Sequence, residues 1–259
     1  MRIAAQRAKA IPAQQNTFRR LYLNQWTEQD ERWLDMATWD ACGGQVDLDS
    51  LQGRECYAGL DLASTRDVTA FVLVFPDGEG GMDVLPFFWV PGDTLAARVK
   101  RDRAPYDVWA GDYLRTTSGN VCDYDVIRED IRELAEKYEI KEIAYDRWGA
   151  TQLVTQLQAD GATCVPLGQG FASMSPPTKE LDKLIASQQV RHGGHPVLRW
   201  MAGNVAIEQD PAGNIKPSKK KSTEKIDGIV ALVMAIDRAT RHAETSSVWE
   251  NDSYEMLTL

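Results

Sequence analysis

An aspartate in the middle of an apolar strand is the feature that most restricts how this chain can fold. In Tyr57-Ala-Gly-Leu-Asp-Leu-Ala-Ser-Thr-Arg-Asp-Val-Thr-Ala-Phe-Val-Leu-Val-Phe75, a short apolar run carries Asp61, breaks at a polar turn, and resumes as a second apolar run. Two buried strands joined by that turn fit the pattern. A carboxylate inside such a run is costly unless something positive compensates it. Asp146 ends another short apolar run, Ile143-Ala-Tyr-Asp146, and Asp227 in Lys225-Ile-Asp227 opens a long apolar helix. Three acids delivered by three core elements point to one shared divalent-metal site.

The rest of the pattern supplies a frame for those acids. Residues 56–62, 68–75 and 82–90 read as three consecutive strands, and the link Pro76-Asp-Gly-Glu-Gly-Gly81 predicts a hairpin between the second and third. Asp93 is expected to cap a helix running to Arg103, and Asp123 an amphipathic helix with Ile127, Ile131, Leu134, Ala135 and Tyr138 on one face. A strand ending at Asp146, a helix over 151–159 and a fifth strand over 163–166 follow. Residues 171–177 read as a loop, 177–187 and 196–204 as helices, 204–217 as a small hairpin, and 225–241 as a largely buried helix. Three strands in meander followed by alternating helices and strands predict an α/β mixed sheet, antiparallel first and parallel after, with flanking helices.

Before that core lies an arm. Residues 1–54 begin with an Ala-, Gln-, Arg- and Lys-rich stretch and continue through Tyr22, Trp26, Trp33, Leu34, Met36 and Trp39, which need a surface to pack on. Thr27, Thr38 or the segment Asp47-Leu-Asp-Ser50 is expected to start a helix there. The core domain spans 55–243, and 244–259 is a tail without periodicity. No apolar run approaches the roughly 18 residues that span a bilayer, and the start of the chain lacks a signal-peptide core, so a soluble intracellular protein is expected. Cys42, Cys56, Cys122 and Cys164 are too scattered for a zinc site or a disulfide framework and are expected as reduced thiols.

Each acid also has a plainer reading. Asp61 at a strand end can cap the turn with Ser64 and Thr65, Asp146 can cap the helix after Trp148, and Asp227 suits the first turn of a helix through the macrodipole. Their combination is what points to two-metal chemistry, in which Mg²⁺ or Mn²⁺ ions about 3.5–4 Å apart activate water and steady both oxygens of a phosphodiester displacement. Such hard ions take carboxylate oxygens and keep several waters, so three acids suffice. Asp67, at the far end of the same turn, either completes that shell or caps the second strand. His192-Gly-Gly-His195 places glycines between its histidines, which gives a pliable loop rather than a rigid metal-binding face.

A net charge of −9 opposes indiscriminate nucleic-acid binding. Within it, Lys216, Lys219, Lys220, Lys221 and Lys225 form a dense basic run just before Asp227, either a solvated loop or a strip gripping phosphates at the edge of the metal site. Arg147 and Trp148, directly after Asp146, are placed to touch substrate or to pack. The chain has no GxxxxGK[ST] loop and so no P-loop ATPase motif.

Gly59-Leu-Asp-Leu-Ala-Ser-Thr-Arg-Asp-Val-Thr-Ala70, Ala144-Tyr-Asp-Arg-Trp-Gly-Ala150 and Lys225-Ile-Asp-Gly-Ile-Val-Ala-Leu232 together resemble the nuclease motifs of tailed-bacteriophage large terminase subunits. Leu23-Asn-Gln-Trp26 and His195-Pro-Val-Leu-Arg-Trp-Met-Ala-Gly-Asn204 also resemble that family's pattern, so the likeness covers residues 18–241. The resemblance implies an RNase H-like fold with Asp61, Asp146 and Asp227 as ligands to two Mg²⁺ or Mn²⁺ ions. It implies an endonuclease that cuts concatemeric double-stranded viral DNA during packaging in the host cytoplasm. It also implies a small terminase subunit, a portal and an ATPase motor domain as partners, the last being absent from this sequence. Three alternatives use the same residues: an actin-like or sugar-kinase ATPase with residues 61–65 as its phosphate loop, a resolvase or transposase on the same fold, and an assembly protein that docks on portal or capsid through its aromatic arm.

Overall fold

Apolar side chains alternate between the two faces of the first three strands, and both faces are covered. Cys56, Ala58 and Leu60 join Phe71, Leu73 and Phe75 in one core, while Ala70, Val72, Val74, Val84, Phe88 and Val90 point into the other. A sheet buried on both sides reads as nearly continuous apolar sequence, as residues 68–75 do. The computed structural model describes residues 2–10, 18, 21–23, 33–62, 67–147 and 151–249.

Helices α1 (Arg2–Ala10) and α2 (Met36–Ala41) precede the sheet. Strands β1 (Glu55–Asp61), β2 (Thr69–Pro76) and β3 (Met82–Pro91) form the antiparallel meander. After α3 (Leu95–Asp102) and α4 (Tyr106–Trp109) comes the short β4 (Arg115–Thr117), then α5 (Tyr124–Lys137) and β5 (Glu139–Tyr145). Next are α6 (Thr151–Ala159), β6 (Cys164–Pro166), α7 (Phe171–Ala186), β7 (Val190–Arg191) and α8 (Pro196–Asn204). The hairpin of β8 (Ile207–Gln209) and β9 (Ile215–Pro217) leads into the long α9 (Asp227–Trp249). The strand order is β4-β3-β2-β1-β5-β6, with β7 also paired to β3. β5 runs parallel to β1 and β6 parallel to β5. This central first strand, flanked by a meander on one side and parallel strands on the other, is the RNase H-like sheet that the motifs imply.

One core lies between the sheet and α7, α8 and α9, where Leu181, Leu184, Met201, Ile229 and Val233 are buried. The other lies under α5 and α6, with Ile127, Ile131, Leu134, Leu153 and Leu157. Each fully buried Leu, Ile or Val contributes about 1.5–3 kcal/mol through surface removed from water, so α9 is held chiefly by its apolar strip. From the arm, Trp33, Leu34 and Trp39 are buried in the first core.

Several local expectations change. α2 is capped by Asp35, whose carboxylate accepts from Thr38 N at 2.9 Å, so Thr38 lies inside the helix and does not start it. Asp47 makes a turn, accepting from the amides of Asp49 and Ser50, and no helix starts there. Asp93 sits in a single 3-10 turn, Gly92–Thr94, before α3 begins. The expected loop at 171–177 is helical, because α7 starts at Phe171 and carries Pro176 and Pro177 inside it. α9 continues to Trp249, past the end expected at Arg241. Strands β4 and β7 are three and two residues long, too short to show alternation. Thr27, Ser64, Thr65 and Trp148 lie outside the described residues. All four cysteines are free thiols, and no described helix is long and apolar enough to cross a membrane.

Candidate active site

The ends of β1 and β5 and the start of α9 lie at one edge of the sheet. The last paired residues of β1 and β5 are Leu60 and Tyr145, which leaves Asp61 and Asp146 as next neighbours on adjacent parallel strands. The carboxyl edge of parallel strands is where α/β sheets form their sites. α9 crosses β1 in the opposite direction, and the crossing is close: a Cβ on Gly59 would lie 1.9 Å from the carbonyl oxygen of Ala231. Asp61 is two residues beyond Gly59 on the same face of β1, and Asp227 is one helical turn before Ala231. The Gly59–Ala231 contact therefore brings the carboxylates of Asp61 and Asp227 together.

Both acids are buried, at 3% exposure for Asp61 and 1% for Asp227. Lys219, on the loop between β9 and α9, reaches between them. Its Nζ donates to Asp227 Oδ1 at 2.7 Å and lies 2.8 Å from Asp61 Oδ2. Burial pushes the Asp61 carboxyl up to about 7; the Lys219 ammonium opposes that, and the charges of Asp227 and Asp146 add to it. Burial works against the Lys219 charge, but the two carboxylates outweigh it and raise the lysine above its usual range. A buried pair of like charges this close is held only by the cation between them.

The ammonium is the cation that neutralises these acids in the structure. Asp227 Oδ2 is buried with no hydrogen-bond partner among the described residues, and Asp61 Oδ2 meets the Lys219 ammonium. An unused carboxylate oxygen in a buried site is what a hard divalent ion takes, and the donor set fits Mg²⁺ or Mn²⁺. As they stand, no three acidic, histidine or cysteine side chains among the described residues are gathered tightly enough to hold an ion. Lys219 separates two of the acids, and Asp146, half-buried just past β5, acts on Asp61 through its charge.

Asp67, the fourth candidate, pairs with a different lysine. Its carboxylate accepts from Lys225 Nζ at 2.6 Å and its carbonyl from Arg98 at 3.1 Å. Burial opposes its charge, yet Lys225 leaves its carboxyl below the ordinary range. The same ion pair takes Lys225 out of the exposed basic strip. Lys216 donates to the Gln169 carbonyl at 3.2 Å and lies over the Phe171 ring, whereas Lys220, Lys221 and Arg147 are exposed. Two residues escape a reading of the sequence. Arg98 is only 2% exposed and ties α3 to the far end of the turn after Asp61; buried arginine has no one-dimensional signature. Lys219 stands in a run of lysines whose members look alike.

His192 and His195 have structural partners. His192 stacks on Trp39 with ring centroids 4.3 Å apart, and its Nε2 pairs with the Trp39 carbonyl at 2.8 Å. His195 accepts from Leu198 N at the start of α8. Burial lowers both, His195 to about 4. Unfolded histidine titrates near 6.5, so between about pH 6.5 and 4 the unfolded chain takes up protons that the folded chain refuses. The histidine contribution is intact above that window and is lost as pH falls through it. Melting temperatures measured at pH 7, 5.5 and 4.5 are expected to fall stepwise, and His195→Asn, which keeps a capping side chain, to flatten the slope. Parallel profiles for the two proteins would exclude His195 as a source.

The terminase likeness of the motifs is matched by whole-chain comparison. A sequence profile described as "Terminase large subunit, endonuclease domain" matches residues 1–243. The chain is 40% identical over 238 residues to the "Terminase, large subunit" of Enterobacteria phage HK97, an alignment covering 91% of this chain and 47% of that protein. It is 30% identical over 267 residues to "Protein YmfN" of Escherichia coli strain K12, covering 98% of this chain and 59% of the relative. The crystal structure of the HK97 large terminase superposes with a TM-score of 0.74 over 91% of this chain and 49% of that one. The chain thus spans about half the length of the curated relatives it matches. Fold, motif order and sequence identity agree, and the chain belongs to the family of terminase large-subunit endonuclease domains.

Proposed function

We propose that this chain is a metal-dependent DNA endonuclease that hydrolyses phosphodiesters in concatemeric viral DNA during genome packaging. The observation that carries this reading is the buried Asp61–Asp227 pair bridged by one cation, with the charge of Asp146 acting on it. Asp61, Asp146 and Asp227 hold the ions, and two Mg²⁺ or Mn²⁺ are expected. When bound, such ions lower the pKa of water and stabilise charge on the phosphate. The chain's own residues do the rest. Burial of Asp61 and Asp227 removes competing water and strengthens every charge interaction in the site. The exposed Lys220, Lys221 and Arg147, with Lys216, grip phosphates on either side of the cut. Water is the nucleophile, and no side chain forms a covalent intermediate. Asp67, the fourth candidate, serves as the partner that fixes Lys225.

The substrate is double-stranded DNA presented in the host cytoplasm, and the partners are a motor domain, a small terminase subunit and a portal. Membership of this family supports the endonuclease over the sugar-kinase reading. Supercoiled plasmid is expected to be nicked and linearised in Mg²⁺ or Mn²⁺ and to stay intact in EDTA, as read on an agarose gel. Cleavage that survives EDTA would remove the metal from the mechanism.

A further inference from the structure

Of the lysines in the 216–221 run, Lys219 sends its ammonium inward, to 2.8 Å from Asp61 Oδ2 and 2.7 Å from Asp227 Oδ1. A divalent ion bound by both acids has to sit where their carboxylates face one another, which is where the ammonium lies. An ammonium and a divalent ion placed there repel each other strongly. Entry of the ion is therefore opposed by the lysine and favoured by its leaving.

The backbone around Lys219 is tied down. Ser218 N donates to the Ala206 carbonyl at 2.9 Å, and Ser222 Oγ donates back to the Ser218 carbonyl at 2.8 Å while accepting from Ala206 N at 3.0 Å. Departure is thus a rotation of the side chain, not a movement of the loop. The way out is open, since the side chain is 41% exposed despite its buried partners. Lys219 also lines a cleft of about 240 Å³ with Glu208, Lys216 and Lys220. Glu208 offers the displaced ammonium an anion there, and Lys216 and Lys220 are the phosphate-facing side of the site.

We infer that Lys219 is a resident counter-cation, neutralising Asp61 and Asp227 while no metal is bound and swinging into the cleft beside Lys216 and Lys220 when a divalent ion takes its place. Metal entry then adds one positive charge to the surface that meets DNA. This rests on the reading of the acids as a metal centre, and the experiment separates the two ideas.

Mn²⁺ binding is measured by calorimetry on the native protein, Lys219→Met, Lys219→Arg and, as a control, Lys183→Met, an exposed lysine paired with Glu180 on its own helix, together with melting temperatures in EDTA. Removing a competing occupant raises apparent affinity by the fraction of time it held the site, so Lys219→Met is expected to bind Mn²⁺ about tenfold more tightly. Lys219→Arg should bind no more tightly than the native protein, and Lys183→Met should bind like it. In EDTA, Lys219→Met should melt several degrees lower and Lys183→Met unchanged. Equal or weaker Mn²⁺ binding by Lys219→Met overturns the inference. Should that variant not fold, a Mn²⁺-soaked crystal of the native protein decides. Lys219 turned away from both carboxylates supports displacement, and Lys219 still paired with both beside a bound Mn²⁺ overturns it. If Mn²⁺ gives no binding heat with the native protein and no anomalous peak at Asp61, the metal centre itself falls, and displacement with it.

Discussion

Asp61→Asn is expected to lower plasmid cleavage by on the order of 10³-fold or more while leaving the protein folded, because ligands that act as one catalytic unit fail together when one is removed. The amide has nearly the shape of the carboxylate, so the packing under α9 is kept. What disappears is one of the two negative charges that Lys219 bridges. Burial already holds the Asp61 carboxyl at about 7, so exchanging it for a neutral group removes a charge the fold tolerates poorly. Melting temperature in EDTA should accordingly be unchanged or slightly higher. Asp160→Asn is the control: that acid pairs with Arg128 between α5 and α6, away from the site, and its loss should leave cleavage as it was. Cleavage by Asp61→Asn within a few-fold of the native rate would take Asp61 out of the site.

Among the described glycines, Gly59→Ala is expected to be the most damaging added methyl. The added Cβ would meet the Ala231 carbonyl oxygen at 1.9 Å and the backbone nitrogen of Ala235 at 2.9 Å. Those atoms belong to the backbone of a helix fixed against β1, β2 and β5, so no side chain can yield. Overpacking a core commonly costs about 1–3 kcal/mol, and a clash with backbone exceeds that range. Against a total stability of about 5–15 kcal/mol, the loss should show as a large fall in melting temperature or in soluble yield. Gly44→Ala, at an exposed glycine with open space around it, should behave like the native protein. A Gly59→Ala protein that melts normally would show that α9 can lift from β1 at little cost. If it folds but cuts poorly, the cause is the displaced Asp227.

How much of this was legible beforehand depended on how each residue broke a pattern. Asp61, Asp146 and Asp227 stood out because each interrupts or opens an apolar period, and period is what one-dimensional reading detects best. The β1–β2–β3 meander and the parallel β5 followed from the same alternation and from a strong turn at 76–81. Where chemistry is repeated, the sequence could not choose. Five lysines between 216 and 225 look alike, yet one bridges buried acids, one pairs with Asp67, one donates to the Gln169 carbonyl and two face solvent. Asp67 was ambiguous for the same reason: only the fold shows that Lys225 reaches it. The start of α7 was hidden because Pro176 and Pro177 suggest a break that the helix runs through. Arg98 and the tight Gly59 crossing are tertiary facts, created when α3 and α9 dock.

The position of α9 carries a consequence for the life of the chain before it is finished. Strand β1 contributes its acid early in synthesis, but the helix that covers β1 and supplies Asp227 comes after every strand of the sheet. A nascent chain still on the ribosome, or a proteolytic remnant trimmed before residue 227, has neither a closed core nor a complete set of acids. If the acids act as proposed, competence to cut arrives in the same step as foldedness.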